Sequence, residues 1–181
     1  MLELALHVLD ILQNSVEAGA SRVQLSIRED RQADRLTITA ADNGRGMDAQ
    51  AARRVLNPFY TTRTTRHVGL GLPLLAAAAD AAGGGLTLES VPGQGTTVQV
   101  TFRWSHPDRQ PLGDMAGTLL AFLMSERAPD LAYEHRTAAG TFAFDTAAIR
   151  AELGEVPLNQ PLVAAWLADF LSEGEAEISL R

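Results

Sequence analysis

The chain has 181 residues, 46% of them apolar and none of them cysteine. That is enough apolar matter for a packed core, and the missing thiols exclude disulfides, zinc-thiolate sites and thiol catalysis. The formal net charge is −7, which argues against sequence-independent nucleic-acid binding, since that needs a basic footprint. All fifteen cationic side chains are arginines, so any phosphate must be held by arginine, hydroxyls or backbone N–H groups. The charge is uneven. Residues 1–104 carry ten acids and ten arginines, whereas residues 105–181 carry twelve acids and five arginines.

The first predicted element is a helix over residues 2–19, closed by Gly19 as a C-terminal stop. It starts without a basic region and no apolar run nears the ~20 residues of a bilayer span, so a cytoplasmic protein without membrane contact is expected. Leu2, Leu4, Leu6, Val8, Leu9, Ile11, Leu12 and Val16 cover most of its circumference. Through them runs a polar stripe of Glu3, His7, Asp10, Asn14 and Glu17. Its spacing of four, three, four and three stacks these side chains on one face. A carboxylate and an amide turned inward on such a helix are costly unless they bind something.

Val23, Leu25 and Ile27 alternate with polar residues, as do Leu36, Ile38 and Ala40 after a polar turn; this predicts a hairpin of half-buried strands. The loop Asp42-Asn43-Gly44-Arg45-Gly46-Met47 leads to a short helix near 48–56, then to a Thr- and Arg-rich loop over 57–69. A carboxylate at a strand end can accept a hydrogen bond from a purine amino group, and glycines let the backbone approach a base closely. Gly69-Leu70-Gly71-Leu72 opens a helix over 70–82, whose exposed N–H groups and dipole favour phosphate. Two more strands, 86–90 and 98–102, follow the triple glycine at 83–85 and flank a turn at Pro92–Gly95; Thr96 and Thr97 precede the second. Four strands and three helices make a two-layer α/β sandwich.

Residues 105–112 hold two prolines and read as a linker. Residues 113–181 read as an acidic α+β extension, with a helix over 113–127, a hairpin (131–136 and 140–144) and two further helices. Asp145 is expected to cap the first of these and Gly154 to stop it. Asn159 is expected to cap the second, with Leu162, Trp166, Leu167 and Phe170 along one side.

Taken in this order, the four motifs resemble the GHKL ATPase superfamily of gyrase B subunits, heat-shock chaperones, MutL proteins and histidine kinases. The resemblance covers residues 3–104 and implies a Bergerat-type ATP-binding fold. It implies that Asn14 ligates Mg²⁺ at the phosphates and that Asp42 recognises adenine with Gly44, Gly46, Met47 and Thr96 or Thr97 nearby. It places Gly69, Leu70, Gly71 and Leu72 at the triphosphate. Asn57-Pro58-Phe59-Tyr60-Thr61-Thr62 resembles the box that begins the lid, which makes Phe59, Thr61 and Thr62 nucleotide contacts and leaves Arg63 and Arg66 as the cationic ones. Where many relatives have a glutamate base, four residues before Asn14, this chain has Asp10, one methylene shorter. Glu17 is the substitute.

A G-x-G-x-x-A match over 44–49 would suggest a dinucleotide fold, yet no acid occurs from 49 to 79 to take the ribose. The extension resembles parts of stand-alone ATP-binding proteins encoded near iron-only hydrogenases, through Arg109–Met115 and Phe144–Asn159. Three functions are carried forward: a Mg·ATP-driven regulatory switch acting on a protein partner, with slow hydrolysis through Asp10; an anti-sigma-type kinase that phosphorylates a separate partner; and a module that binds ATP or ADP without turnover. A homodimer stays open.

Overall fold

A computed structural model describes residues 3–56 and 71–179. The elements run α1 (Leu4–Glu17), β1 (Arg22–Asp30), β2 (Arg35–Asp42), α2 (Ala49–Val55), α3 (Gly71–Ala81), β3 (Gly85–Val91), β4 (Gly95–Arg103), α4 (Met115–Leu123), β5 (Asp130–Arg136), β6 (Thr141–Asp145), α5 (Thr146–Leu153) and α6 (Pro161–Ile178). The strands form one mixed sheet in the order β3-β4-β2-β1-β5-β6. All pairs are antiparallel except β1 with β5.

Alternation decides which face of the sheet is covered. Val23, Leu25 and Ile27 of β1, Leu36, Ile38 and Ala40 of β2, and Val98, Val100 and Phe102 of β4 are buried together beneath Leu4, Val8, Ile11 and Leu12 of α1. Each such side chain taken from water contributes roughly 1.5–3 kcal/mol, so α1 is held by packing along most of its length. The alternate residues, among them Gln24, Ser26, Arg28, Gln99, Glu134 and Arg136, are exposed, and the sheet has one wet face. The 44–49 match follows β2, whose sheet neighbours β1 and β4 both run antiparallel to it, so no strand returns beside it in the parallel βαβ unit that a dinucleotide fingerprint requires.

The hairpin of the extension joins the same sheet: β5 lies parallel to β1, with Leu25 opposite Tyr133 and Ile27 opposite His135. Arg22 of β1 pairs with Asp145, whose other task is to cap α5 at the Ala147 N–H. Gly154, at φ +63°, ends that helix. The cap of α6 differs from the sequence expectation. Gln160, not Asn159, accepts from the N–H groups of Leu162 and Val163, with Pro161 in the first turn. The buried side of α6 differs in part: Leu167 is buried as expected and Phe170 packs against the core, but Leu171, Gly174 and Ile178 complete that side. Leu162 and Trp166 are exposed by 78% and 48%, on the side of the helix away from the close approach of Gly174 to the Phe142 ring. α4 is shorter than expected, since Asp114 caps it at Gly117 and the chain leaves the helix after Leu123.

Candidate functional site

At one end of the sheet, the last residue of β2, the first of β4, the loop after β2 and the C-terminal half of α1 meet. Asp42 continues the inward row of Leu36, Ile38 and Ala40, so its carboxylate lies beneath α1 rather than on the wet face. There Oδ1 accepts from the Gly44 N–H at 2.8 Å and Oδ2 from the Ser15 hydroxyl at 3.1 Å. Two donors from two elements fix the carboxylate's orientation while it remains half-buried.

Thr96 stands directly opposite Asp42 in the β2–β4 register and shares the inner face with Val98. Thr97 takes the alternate position and points to the other face, so of the two threonines only Thr96 is brought to this corner. The Thr96 hydroxyl is 2.9 Å from that of Ser90, which also accepts from the Met47 N–H at 2.8 Å. Strand β3, the loop and β4 are thereby tied together.

The glycines make this corner sterically feasible. Gly46 sits at φ +62°, where an added Cβ would overlap the Val91 carbonyl oxygen, and Gly95 at φ +109°, where it would overlap that of Asp42. Gly44 is packed so closely that a Cβ would lie 2.7 Å from that of Ala18. The loop is further held by Arg45 N–H to Ala18 carbonyl at 2.9 Å and Gly93 N–H to Arg45 carbonyl at 2.7 Å. Asn43 turns away from the corner and receives the N–H groups of Ser21 and Arg22 at 2.9 Å each.

Asp10 and Asn14 are half-buried, one turn apart on the same face of α1. The first residue of α3, Gly71, comes so close that a Cβ there would lie 2.8 Å from Asp10 Oδ2. A carboxylate at a helix N-terminus is favourably placed against the dipole. Leu72 turns into the core. One turn before Asp10, His7 is 2% exposed; burial holds its pKa below the ordinary imidazole range, with Asp10 and Gln110 opposing that shift. Glu17 is exposed at the end of the helix. Phe59, Thr61, Thr62, Arg63, Arg66, Gly69 and Leu70 lie outside the described residues.

This corner therefore offers an oriented carboxylate beside a glycine loop. Along the same helix it offers two oxygen-bearing side chains, of which Asp10 faces the start of a second helix. Residues 2–106, more than half of the chain, match the family described as histidine kinase-, DNA gyrase B- and HSP90-like ATPases. The chain belongs to this family of ATPases.

Its GHKL-type domain is of the histidine-kinase-like, ATP-binding kind. It is 31% identical over 112 residues to the nitrogen regulation protein NtrY of Azorhizobium caulinodans, covering 56% of this chain and 14% of that one. With the sensor protein kinase FleS of Pseudomonas aeruginosa it shares 40% identity over 89 residues, covering 49% and 22%. The chain thus spans less than a quarter of the length of either curated relative. Among solved structures, the N-terminal domain of a DNA repair protein superposes with a TM-score of 0.58 at 17% identity, covering 79% of this chain and 52% of that one. This likeness is one of fold. Among the described residues, no helix is long and apolar enough to cross a membrane.

Two contributors to the corner were not singled out from the sequence: Ser15 and Ser90. Each left a signal, namely a hydroxyl at an inward position, Ser15 beside Ile11 and Leu12 and Ser90 in the row of Leu86 and Leu88. A second polar group lies at the far end of β1. His135, 3% exposed, donates or accepts through Nδ1 with Glu175 at 2.8 Å and has Glu29 3.4 Å from Nε2. The Tyr133 hydroxyl donates to Glu175 at 2.7 Å. Burial opposes a charge on His135, but the hydrogen bonds and negative charges of Glu175 and Glu29 outweigh it and push its pKa up to about 9.

Proposed function

We propose that the chain is a Mg·ATP-dependent regulatory switch with slow ATP hydrolysis. Asp42 takes the adenine amino group, with Gly44, Gly46, Met47 and Thr96 shaping the base site. The observation that carries this reading is the carboxylate held by Ser15 and Gly44, an acceptor whose orientation is set before any ligand arrives. Such preorganisation lowers the cost of binding.

The phosphates extend from there toward the start of α3. Asn14 presents an oxygen donor, the chemistry Mg²⁺ requires, and that ion normally takes one or two protein ligands and completes its octahedron with phosphate and water. Among the described residues no cluster of three or more acidic, His or Cys side chains could hold a metal alone. When bound, the ion supplies charge neutralisation between the phosphates. Asp10 then orients or deprotonates the attacking nucleophile. Its close packing against Gly71 fixes the carboxylate, while the short aspartate side chain keeps turnover slow. Any cationic help falls to arginine, as the chain has no lysine; Arg63 and Arg66 are the sequence's candidates.

The nucleotide state is passed to a cytoplasmic protein partner through the extension, whose strand β5 lies against β1. An iron-only hydrogenase system is the proposed setting, on the resemblance of the extension alone. Incubation with γ-labelled Mg·ATP tests the reading. Free labelled phosphate from wild type, absent with Asp10→Asn, is expected. Label appearing on a co-incubated protein instead would favour a kinase, and intact bound ATP in every case would leave a module without turnover.

A further inference from the structure

The outer side of α6 carries an apolar surface that the fold leaves open. Leu162 is 78% and Trp166 48% exposed, and one helical turn separates them, so they share a face. Among the described residues no other large apolar side chain is as exposed as Leu162. The Trp166 ring lies flat on Phe170, with centroids 5.2 Å apart and planes within 13°, and Phe170 packs against the core. The indole is braced from behind while nearly half of the residue stays open to water. Tryptophan fixed in this way is the side-chain type that anchors protein interfaces.

The same stripe changes character along the helix. From Leu162 and Trp166 it continues by threes and fours to Asp169, Glu173 and Glu177, all exposed. From Leu162 to Glu177 it runs about 22 Å. The side chains of these three acids make no ion pair or hydrogen bond among the described residues, and the helix contains no arginine, lysine or histidine. Acids in the last turns of a helix meet the negative end of its dipole, where cations are favoured. Their placement works against α6 itself, so helix stability does not account for it. Glu175 is engaged elsewhere, by Tyr133 and His135, and takes no part.

The two halves of the stripe together specify what covers it. Exposed apolar side chains rimmed by charge mark a protein-interaction surface. Carboxylates beside them repel an anionic bilayer and nucleic acid alike. A net charge of −7 sets a second copy of the chain at a disadvantage too, since like charges oppose association. The surface calls for a partner that brings apolar side chains to one end and cations to the other.

We propose that the exposed face of α6 docks a basic amphipathic helix of a partner protein. Its apolar residues cover Leu162 and Trp166, and its arginines or lysines meet Asp169, Glu173 and Glu177. The spacing of four, three and four from Leu162 through Glu173 is the one by which one helix reads another. An antiparallel approach sets the positive start of the partner helix against the acidic end of α6. Charge complementarity steers the encounter, and Trp166 holds the complex. The proposal rests on the reading of the extension as the partner-facing part, and not on the nucleotide chemistry.

The probe is a fluorescein-labelled helical peptide as long as α6, with arginines on one stripe of its N-terminal half and leucines continuing that stripe in the other. Its controls are a scrambled peptide and one with glutamine in place of each arginine. Anisotropy titration with the full chain should show saturable one-to-one binding with Kd below about 100 μM, weakened several-fold as salt rises from about 50 to about 300 mM. Trp166→Ala should weaken it at least roughly tenfold. Leu162→Glu, at a side chain already in water, should do the same, and it decides the matter if Trp166→Ala does not fold. Asp169→Asn combined with Glu173→Gln should remove most of the salt dependence. Asp42→Asn should bind the peptide as wild type does, so a failed nucleotide site and a failed docking face are told apart. No saturable binding, equal binding of either control peptide, or affinity unaltered in Leu162→Glu would overturn the proposal. So would a dimer in sedimentation velocity that Leu162→Glu dissociates, since the face would then belong to a second copy.

Discussion

The Ser15 hydroxyl is a test of whether the orientation of Asp42 matters. It lies 3.1 Å from Asp42 Oδ2 and 3.3 Å from the Ile11 carbonyl, so its single proton is shared between a charged and a neutral acceptor. Ser15→Ala removes that donor and leaves only the Gly44 N–H, at 2.8 Å, on the other carboxylate oxygen. With one anchor the carboxylate can rotate about its last bond, and the proposed adenine site is no longer set in advance. A hydrogen bond to a charged group contributes about 1.5–3 kcal/mol. Asp42 is half-buried, and water recovers part of that. The remainder, about 1.4 kcal/mol, corresponds to a tenfold weaker Kd. Because alanine fits the space of serine, the loss of folding stability should stay near 1 kcal/mol. Calorimetric titration with Mg·ATP measures the first quantity and urea unfolding the second. An Ser15→Ala protein that binds ATP as wild type does would refute the idea that Ser15 orients the base acceptor. So would one whose loss of binding merely follows loss of fold.

Three further outcomes follow from the geometry. Gly46→Ala places a Cβ against the Val91 carbonyl at a positive φ and should cost at least about 2 kcal/mol of stability, read from the urea midpoint; an unchanged midpoint would contradict the packing described. Gly71→Ala drives a methyl to 2.8 Å from Asp10 Oδ2 and should lower the rate of phosphate release more than it weakens ATP binding, a split that single-turnover kinetics resolves. The pH dependence of stability should carry the signature of His135. With the folded pKa raised to about 9 from the ordinary 6.5, its contribution is fully present below pH 6.5 and is lost as the pH rises through 9. Glu29 on β1, Glu175 on α6 and Tyr133 on β5 are the groups that face the ring. Urea midpoints should therefore fall between pH 7 and 9 in wild type and stay flatter in His135→Gln.

The sequence made the layered fold legible where a single period ran uninterrupted. The alternation in β1, β2 and β4 located the inner face and hence the side on which Asp42 lies. Glycine punctuation marked Gly46 and Gly95, because their conformations are closed to other residues. Long-range partners were less accessible. Nothing local in Asp130–Arg136 states that this strand will lie parallel to β1, since register across a hundred residues is set by the joint burial of Leu131 and Tyr133 with the rest of the core. For the same reason nothing near His135 in the sequence announces its partners, Glu29 and Glu175, which come from elements distant in sequence. On α6, the helical period placed Leu162, Trp166, Leu167 and Phe170 on one side, and the long-range packing of Leu171 and of Gly174 against Phe142 shifts the buried face. In the site itself, the functional types stood out, but the hydroxyls that hold them, Ser15 and Ser90, became visible only with the strands in register.

The central claim is that Asp42 is the base acceptor of an ATP site, and titration of wild type and Asp42→Asn with Mg·ATP tests it most directly. Saturable one-to-one binding by wild type, lost or weakened at least roughly tenfold in a folded Asp42→Asn protein, is the predicted result. Equal affinity in the two proteins would contradict the account.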